Sequence, residues 1–198
     1  MRIYTRKGDD GTTGLLYGGR VPKSAWRVEL NGVVDEAQAA LGMARAEAAP
    51  GSEADELLIA LERELYVLMA EVATAPEHRA KLTAGASLVT ADMVTALERR
   101  IDDLDGRYEM PTEFVVPGAN RCAAALDLAR TVVRRAERVL AAGEPLDARP
   151  EGGDGSQVGP YLNRLSDLVW TMARWLEGEE HLAARSGGPA KRRRVAPR

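Results

Sequence analysis

The sequence predicts an all-α protein, a five-helix bundle with a Gly/Thr-rich N-terminal loop and a disordered basic C-terminal tail. Apolar residues recur at steps of three and four in five segments, Gly- and Pro-rich breaks separate these segments, and no stretch alternates as a half-buried strand would. With 198 residues, 45% of them apolar, the chain can bury one core and would be cramped as two domains. We therefore expect one helical-bundle domain over residues 1–182 and a flexible tail over residues 183–198.

The first two helices follow from their apolar stripes and the breaks between them. The first twenty residues contain five glycines and no periodicity, which predicts a loop with at most a short extended piece. A helix is predicted from Ser24, because apolar residues recur at steps of four and three up to Ala44. A Pro-Gly pair breaks that pattern, and a second helix begins near Ser52 and ends before Pro76. Residues 77–89 are predicted to form a loop.

The remaining three helices are marked by residues suited to their first turns. Thr90 is the predicted N-cap of the third helix. Asn120 is the predicted N-cap of the fourth, which runs to about Ala142. Pro160 suits a first helical turn and opens the fifth helix, which is predicted to end at about Glu180.

Charge excludes one broad class of function. The chain has 27 basic and 30 acidic residues, a net charge of −3. Six of the basic residues and none of the acidic ones lie from Ala183 onward, so the body carries a net charge of −9. An acidic body argues against a nucleic-acid-binding domain, which needs a basic face. The basic tail is either a solvated terminus or a nuclear-import or nucleic-acid patch.

The content of cysteine and histidine argues against further classes of function. A single cysteine, Cys122, cannot form an internal disulfide, and two histidines make His-centred triads or metal sites poor candidates. No apolar run approaches the roughly 18 residues that span a bilayer. The N-terminus has no apolar signal-peptide core. We therefore expect a cytoplasmic protein with no membrane partner.

The predicted fourth helix has an arginine-rich face. At about 100° per residue, its apolar residues, Leu128 among them, fill one arc. The opposite arc contains Asp127, Arg130, Arg134, Glu137 and Arg138. This face is either a solvated surface with i, i+4 ion pairs or an anion site, because arginine holds phosphate and carboxylate oxygens bidentately. The residues alone leave both alternatives open.

The fifth and first helices show a similar segregation. Opposite an apolar stripe, the predicted polar side of the fifth helix contains Asn163, Asp167, Thr171 and Arg174. Arg164 and Asp167 are spaced to pair at i, i+3. On the first helix, Asp35 lies about 180° from the apolar stripe and, taken alone, is most simply a surface carboxylate.

The N-terminal loop over residues 5–14 has the composition of a phosphate cradle. Its glycines let backbone N–H groups approach an anion, its threonines add hydroxyl donors, and Arg6, Lys7 and Lys23 supply positive charge. It is not a Walker A loop, because it contains no Gly-Lys-Ser/Thr. Its two consecutive aspartates are not followed by the later ligands of an EF-hand calcium loop.

Three blocks of sequence resemble the PduO-type ATP:cob(I)alamin adenosyltransferase (corrinoid adenosyltransferase) family. They are residues 4–14 (YTRKGDDGTTG) continued by residues 19–23 (GRVPK), residues 128–138 (LARTVVRRAER), and residues 161–167 (YLNRLSD). Weaker similarities occur at residues 34–36, 71–74 and 114–118. In order and spacing, the blocks cover about residues 3–177.

The resemblance implies a five-helix bundle assembled as a homotrimer, with active sites between subunits. It implies transfer of the 5′-deoxyadenosyl group of ATP to the cobalt of cob(I)alamin, giving adenosylcobalamin and triphosphate, with Mg²⁺ assisting. The implied ATP contacts are Thr5, Arg6, Lys7, Gly8, Thr13, Gly14, Lys23, Arg134, Arg135, Glu137, Arg138 and Asn163. A reductase and a cobalamin-dependent acceptor enzyme are further candidate partners.

The residues implied in catalysis are Arg130, Arg134, Asp35 and Phe114. Asp35 and Arg130 would pair across the subunit boundary. Phe114, the only phenylalanine, would lie against the corrin and exclude the lower axial ligand; on its position alone, it would instead plug the end of the bundle. Arg164 and Asp167 would support the site, and no residue is implied as a metal ligand.

The chain departs from the family pattern twice. The Pro-Gly-Gly-Ser/Thr that usually precedes the fourth helix is here Pro117-Gly118-Ala119-Asn120, and Asp127 stands where the family usually has histidine. Both positions are expected near the corrin. The alternative function is therefore a non-catalytic trimeric relative that binds ATP or a corrinoid as a carrier or sensor. A purely structural bundle with a basic interaction tail would require the loop and arginine similarities to be accidents.

Overall fold

The computed structural model describes residues 4–146 and 155–185 and confirms the five-helix bundle. The helices are α1 (Trp26–Ala46), α2 (Glu53–Val72), α3 (Ala91–Arg107), α4 (Arg121–Ala142) and α5 (Val158–Glu177). Two antiparallel pairs of short strands join β1 (Thr12–Gly14) to β2 (Arg20–Pro22) and β3 (Val115–Val116) to β4 (Leu182–Ala183). Short 3-10 turns occupy Pro76–Lys81, which begins one residue before the predicted loop of residues 77–89, and Gly178–Glu180.

Two helix starts confirm the predicted caps. The Thr90 hydroxyl accepts a hydrogen bond from the Met93 N–H at 3.3 Å. The side-chain oxygen of Asn120 accepts a hydrogen bond from the Ala123 N–H at 2.8 Å. Each side chain thereby satisfies an amide that has no partner within its helix.

The fifth helix differs from its predicted bounds at both ends. It begins at Val158, two residues before Pro160, which lies in the first turn, where an N–H would have no partner within the helix. It ends at Glu177 rather than at about Glu180. The cause is Gly178, whose φ of 56° leaves the helical region and terminates the hydrogen-bond ladder.

The helices pack in one order around a continuous aliphatic core: α1 packs against α2 and α4, α4 packs against α5, and α5 packs against α3. α4 runs antiparallel to α1. At one end the Cys122 thiol donates to the Ala44 carbonyl at 3.2 Å, and at the other Gly143 lies against Trp26, where a Cβ would come within 2.5 Å of the ring. The bundle therefore has two distinct ends.

One end, which we call the loop end, carries the N-terminal loop. Arg27, in the first turn of α1, donates to the Val72 and Thr74 carbonyls at 3.3 Å each, so α2 ends where α1 begins. The Leu16 N–H donates to the Ala73 carbonyl at 2.9 Å and attaches the loop there. The loop end thus brings together the N-terminal loop, the starts of α1 and α5, and the ends of α2 and α4.

The N-terminal loop folds as a short hairpin, which is more ordered than the predicted loop with a short extended piece. β1 and β2 pair antiparallel. The Arg20 guanidinium holds the turn together by donating to the Thr12 hydroxyl at 2.9 Å and to the Lys7 carbonyl. Arg20 therefore connects, through hydrogen bonds, residues that lie 8 and 13 positions before it in the chain.

Two of the predicted helix faces are wrong at particular residues. Asp127 of α4 and Thr171 and Arg174 of α5 were expected on polar, solvated faces, yet their exposed fractions are only 4–5%. The reason is that α5 lies between α3 and α4, so more than one of its faces is covered. Conversely, Leu128 was expected in the core and is 50% exposed, because it lies on the side of α4 away from α1 and α5.

At the C-terminus, the first residue of the predicted tail, Ala183, lies in β4 and pairs with Val115. Residues 186–198 of that tail, like residues 147–154 of the predicted Gly/Pro/Asp loop, lie outside the described residues. In the described ranges, none of the helices combines the length and the apolar character needed to cross a membrane.

Candidate active site

The exposed face of α4 carries the predicted arginines. The Arg134 side chain is exposed and forms no hydrogen bond or ion pair with any described residue. Arg138 is also exposed and donates to the Arg134 carbonyl at 3.0 Å. Arg135 instead forms an ion pair with Glu36 of α1. The face thus contains one arginine committed to the neighbouring helix and one, Arg134, available to a ligand.

A chain of polar contacts connects this face to α5 and α3. The Asn163 amide donates to the Glu137 carboxylate at 2.9 Å. Arg164 donates to the Asn163 side-chain oxygen, and its Nε donates to Glu98 of α3 at 2.9 Å. Asp167 lies 3.9 Å from the same guanidinium. The predicted i, i+3 pair is therefore loose, and Arg164 mainly fixes Asn163, which in turn fixes Glu137.

The N-terminal loop presents its cations to solvent. Lys7 and Lys23 are exposed, and a Cβ at Gly8 would come within 3.3 Å of the Lys23 Nζ and 3.1 Å of the Thr12 carbonyl. Glycine at this position therefore lets the ammonium lie directly against the loop backbone. The other loop residues implied in ATP contact are exposed or half-buried: Thr5, Arg6, Thr13 and Gly14.

The loop and the arginine face lie at the same end of the bundle but are not joined within one chain. The loop is attached to the end of α2, and α1 separates α2 from α4. Among the described residues, no hydrogen bond or ion pair connects residues 5–23 to α4 or α5. Asp35 and Arg130 are separated in the same way: Asp35 is exposed on α1, and Arg130 contacts Asp127 instead, at 3.4 Å.

Phe114 lies toward the opposite end of the bundle and is 90% exposed, so the interpretation that it plugs the bundle end is wrong. Its backbone is fixed, because its carbonyl accepts a hydrogen bond from the Ala184 N–H at 2.7 Å beside the β3–β4 pair. The ring lines a cavity of about 580 Å³. The residues lining it are Pro111, Thr112, Glu113, Phe114, Trp170, Ala184 and Arg185.

A second cavity, of about 490 Å³, extends along α5 beside α3. Arg164 and Asp167 line it, and Trp170 lines both this cavity and the one beside Phe114. The two residues implied as supports and the one implied to face the corrin therefore border adjoining spaces on one side of α5.

Sequence reasoning missed a buried cluster of charges between α4 and α5. Asp127 accepts a hydrogen bond from Arg174 Nη2 at 2.6 Å, and Arg174 also donates to Glu177 at 3.0 Å. Burial raises the pKa of the Glu177 carboxyl above its ordinary value. A signal was present in the sequence: Arg174 and Glu177 are spaced i, i+3 on the same helix, which is the spacing of an ion pair.

The described residues offer no ready-made metal centre. Across residues 4–146 and 155–185, no three His, Cys, Asp or Glu side chains come together in a way that could hold a metal ion. Glu137 is the carboxylate on the arginine face, and Asn163 fixes its orientation.

Comparisons with known proteins identify the family of this chain. The model of the cobalamin adenosyltransferase family matches residues 3–176. A corrinoid adenosyltransferase of Citrobacter freundii is 40% identical over 174 residues, which is 87% of this chain and 93% of the relative. Corrinoid adenosyltransferase PduO of Salmonella typhimurium is 36% identical over 183 residues, 92% of this chain, and this chain spans about half, 52%, of its length.

A solved structure shares the fold. It is a variant of a PduO-type ATP:corrinoid adenosyltransferase from Lactobacillus reuteri, complexed with cobalamin and ATP. The two structures superpose with a TM-score of 0.77 at 26% sequence identity, covering 96% of this chain and 100% of the other.

Proposed function

This chain belongs to the cobalamin adenosyltransferase family, and we propose that it transfers the 5′-deoxyadenosyl group of ATP to the cobalt of cob(I)alamin at a site shared between two copies. It is an enzyme, an ATP:corrinoid adenosyltransferase, and its products are adenosylcobalamin and triphosphate. The single observation that supports the location of the ATP site is Arg134, an exposed arginine without a partner among the described residues.

The reaction requires no protein nucleophile. Co(I) carries the electron pair that attacks C5′, the Co–C bond forms as the C5′–O bond breaks, and triphosphate leaves with the electrons of that bond. The protein therefore has to hold C5′ in line and stabilise the negative charge that grows on the triphosphate. Arg134 and Arg138 of α4 supply positive charge that stabilises the triphosphate. Lys7, Lys23 and the loop amides of a second copy stabilise it from the other side of the site.

A homotrimer would complete the site. Within one chain the N-terminal loop and the arginine face share an end of the bundle without touching, and Asp35 and Arg130 are likewise apart. Exposed apolar side chains accompany these residues: Leu128 of α4 is 50% exposed and Met43 of α1 is 58% exposed. A neighbouring subunit would bury this surface, bring its loop to the arginines and bring Asp35 to Arg130.

The cavity beside Phe114 is the proposed corrin site. An exposed aromatic ring on a fixed backbone excludes water and base from one face of the cobalt, which keeps Co(II) four-coordinate and reducible. The departure at Asn120 has a structural explanation, because this residue caps α4 and its amide donates to the Leu176 carbonyl at 2.9 Å. Its replacement of the usual serine or threonine therefore keeps the cap.

Mg²⁺ is proposed to arrive with ATP, since this ion is usually held by phosphate oxygens and one or two carboxylates rather than by an all-protein cage. Glu137, oriented by Asn163 among the arginines, is the carboxylate suited to it. The ion would neutralise charge on the triphosphate. A reductase that supplies Co(I) and a cobalamin-dependent acceptor enzyme are the proposed partners, in the cytoplasm.

An anaerobic assay with ATP and chemically reduced cobalamin tests the proposal. We expect the absorbance spectrum to change as the Co–C bond forms, with triphosphate released in equal amount. Sedimentation velocity of the same sample should show a trimer. Tight ATP binding without Co–C bond formation would favour the carrier or sensor, and full activity of a monomer would contradict the shared site.

A further inference from the structure

The carboxylate of Asp127 lies between two arginines of different character. Its Oδ2 accepts a hydrogen bond from Arg174 at 2.6 Å, and its Oδ1 accepts one from Arg130 Nε at 3.4 Å. Asp127 and Arg174 are buried, whereas the Arg130 side chain is 28% exposed. One carboxylate thus connects the interior of the bundle to a proposed catalytic arginine.

The interior side of this contact is buried and paired. The Arg174 guanidinium also donates to the buried Glu177 carboxylate at 3.0 Å, and it lies over the Trp170 ring at 5.9 Å from the centroid. Its bond to Asp127 Oδ2 is the shortest hydrogen bond of the cluster, at 2.6 Å, and it occupies that oxygen. Arg174 therefore fixes which oxygen of Asp127 faces outward.

The outward side determines how Arg130 is presented. Its Nε–H is directed at Asp127, and because a guanidinium is planar, this contact restricts the plane of the whole group. Its two terminal nitrogens make no hydrogen bond with any described residue. They are the atoms left to meet substrate or the carboxylate of a second copy.

We propose that Asp127 is a positioning residue of the adenosyl transfer: it holds the guanidinium of Arg130 in the orientation that the reaction requires, and Arg174 holds Asp127. This inference rests on the proposed function, because Arg130 matters only at a site that uses it. The arrangement also reaches the proposed corrin site, since Trp170, which packs on Arg174, lines the cavity beside Phe114.

A purely structural cluster would behave differently. If Asp127 served stability alone, its neutralisation would lower the melting temperature and affect activity only through the folded fraction. Glu177→Gln is the matched control, because Glu177 belongs to the same buried cluster and contacts Arg174, whereas no hydrogen bond or ion pair joins it to Arg130 among the described residues.

A double-mutant cycle tests the proposal on the full-length protein. Asp127→Asn is expected to lower kcat about 10²-fold, as a small misplacement of a catalytic group does, with KM for ATP little changed. In an Arg130→Ala background the same substitution should lower kcat no further, because the group it positions is gone. Glu177→Gln should retain most of kcat even if its melting temperature falls by as much as that of Asp127→Asn.

The opposite outcomes would overturn the inference. They are an equal loss of kcat from Asp127→Asn with and without Arg130, or an equal loss from Glu177→Gln and Asp127→Asn. A second measurement does not depend on turnover: the ¹⁵N-resolved Nε–H signal of Arg130, assigned by its loss in Arg130→Ala. Its proton should exchange slowly in the unmodified protein and in Glu177→Gln but rapidly in Asp127→Asn. Rapid exchange in all three would reject the positioning contact, whereas slow exchange without any turnover would reject the proposed function instead.

Discussion

Two arginines on neighbouring helices have opposite surroundings. Arg134 lies exposed on α4 with no ion-pair partner among the described residues, while Arg174 on α5 is buried and bonded to two carboxylates. In the sequence both belong to predicted polar faces. The difference shows that a charged residue is free for a ligand only where packing leaves it so.

The physical consequences of the two environments also differ. A buried charge that loses its partner keeps its desolvation penalty, so its effect appears in folding stability. An exposed arginine contributes little to stability, because water screens it, and its effect appears when a ligand with concentrated negative charge binds. Substitutions of the two arginines should therefore have separate effects, one on stability and the other on activity.

The largest effect on stability is expected for Arg174→Met. Methionine fills much of the volume but leaves the Asp127 and Glu177 carboxylates buried without their shared cation. We expect the free energy of unfolding, measured with urea at fixed protein concentration, to fall by about 3–5 kcal/mol. Arg107→Met is the control, because it breaks an exposed pair with Glu53 and should cost far less. Equal losses for both variants would show that the buried cluster contributes no more to stability than an exposed ion pair.

The complementary substitution is Arg134→Ala. Removal of one preorganised donor to a developing anion typically lowers kcat about 10²–10³-fold. The melting temperature and helical circular dichroism should stay unchanged, since the side chain is exposed and its loss opens no cavity. The control is Arg63→Ala, which removes an exposed arginine on a different helix, α2. It should leave kcat unaltered. Normal turnover in Arg134→Ala would remove this residue from the site.

Phe114→Ala extends the comparison to an apolar residue. A core phenylalanine would cost about 3–5 kcal/mol when truncated, but at 90% exposure the expected change in stability is within about 0.5 kcal/mol. ATP binding should survive, while the spectrum of bound Co(II) should change from four- to five-coordinate and turnover should fall. Tyr66→Ala, at an exposed aromatic on α2, is the control. A large drop in melting temperature with a normal four-coordinate spectrum would reject the corrin role.

Local pattern predicted the elements of this fold well. Caps such as Thr90 and Asn120 act on amides within three residues, and the apolar stripe of α1 is set by the helical repeat alone, so both could be identified without tertiary information. The end of α5 was misplaced by about one turn, because the positive φ of Gly178 depends on how the chain turns toward β4.

The candidate site was less accessible to the same reasoning. A helical wheel describes one helix and does not say how many neighbours cover it. α5 has helices on two sides, so Arg174 and Thr171 are buried, and Leu128 faces away from both neighbours of α4. The resemblance supplied the ATP and corrin residues, and it placed Asp35 opposite Arg130 across a subunit boundary. A single chain leaves that pair apart, so it stays a prediction.

The smallest expected effect is a pH dependence, and it has opposite signs for the carboxylates of Glu177 and Asp55. Burial raises the pKa of Glu177 in the folded protein, so the folded state binds more protons than the unfolded one over the interval above the ordinary value of 4.5. The contribution of Glu177 to stability therefore falls as pH rises through that interval. Glu177→Gln removes this titration, and its stability relative to the unmodified protein should increase with pH.

For Asp55, the Gly51 N–H and then Arg45 lower the pKa of the carboxyl. The contribution of Asp55 to stability is therefore present above its ordinary pKa of 3.8 and is lost as pH falls below that value. Urea unfolding of Glu177→Gln and Asp55→Asn between pH 3 and 7 measures both slopes, and slopes of the same sign would contradict the assignment of Glu177 to a buried cluster.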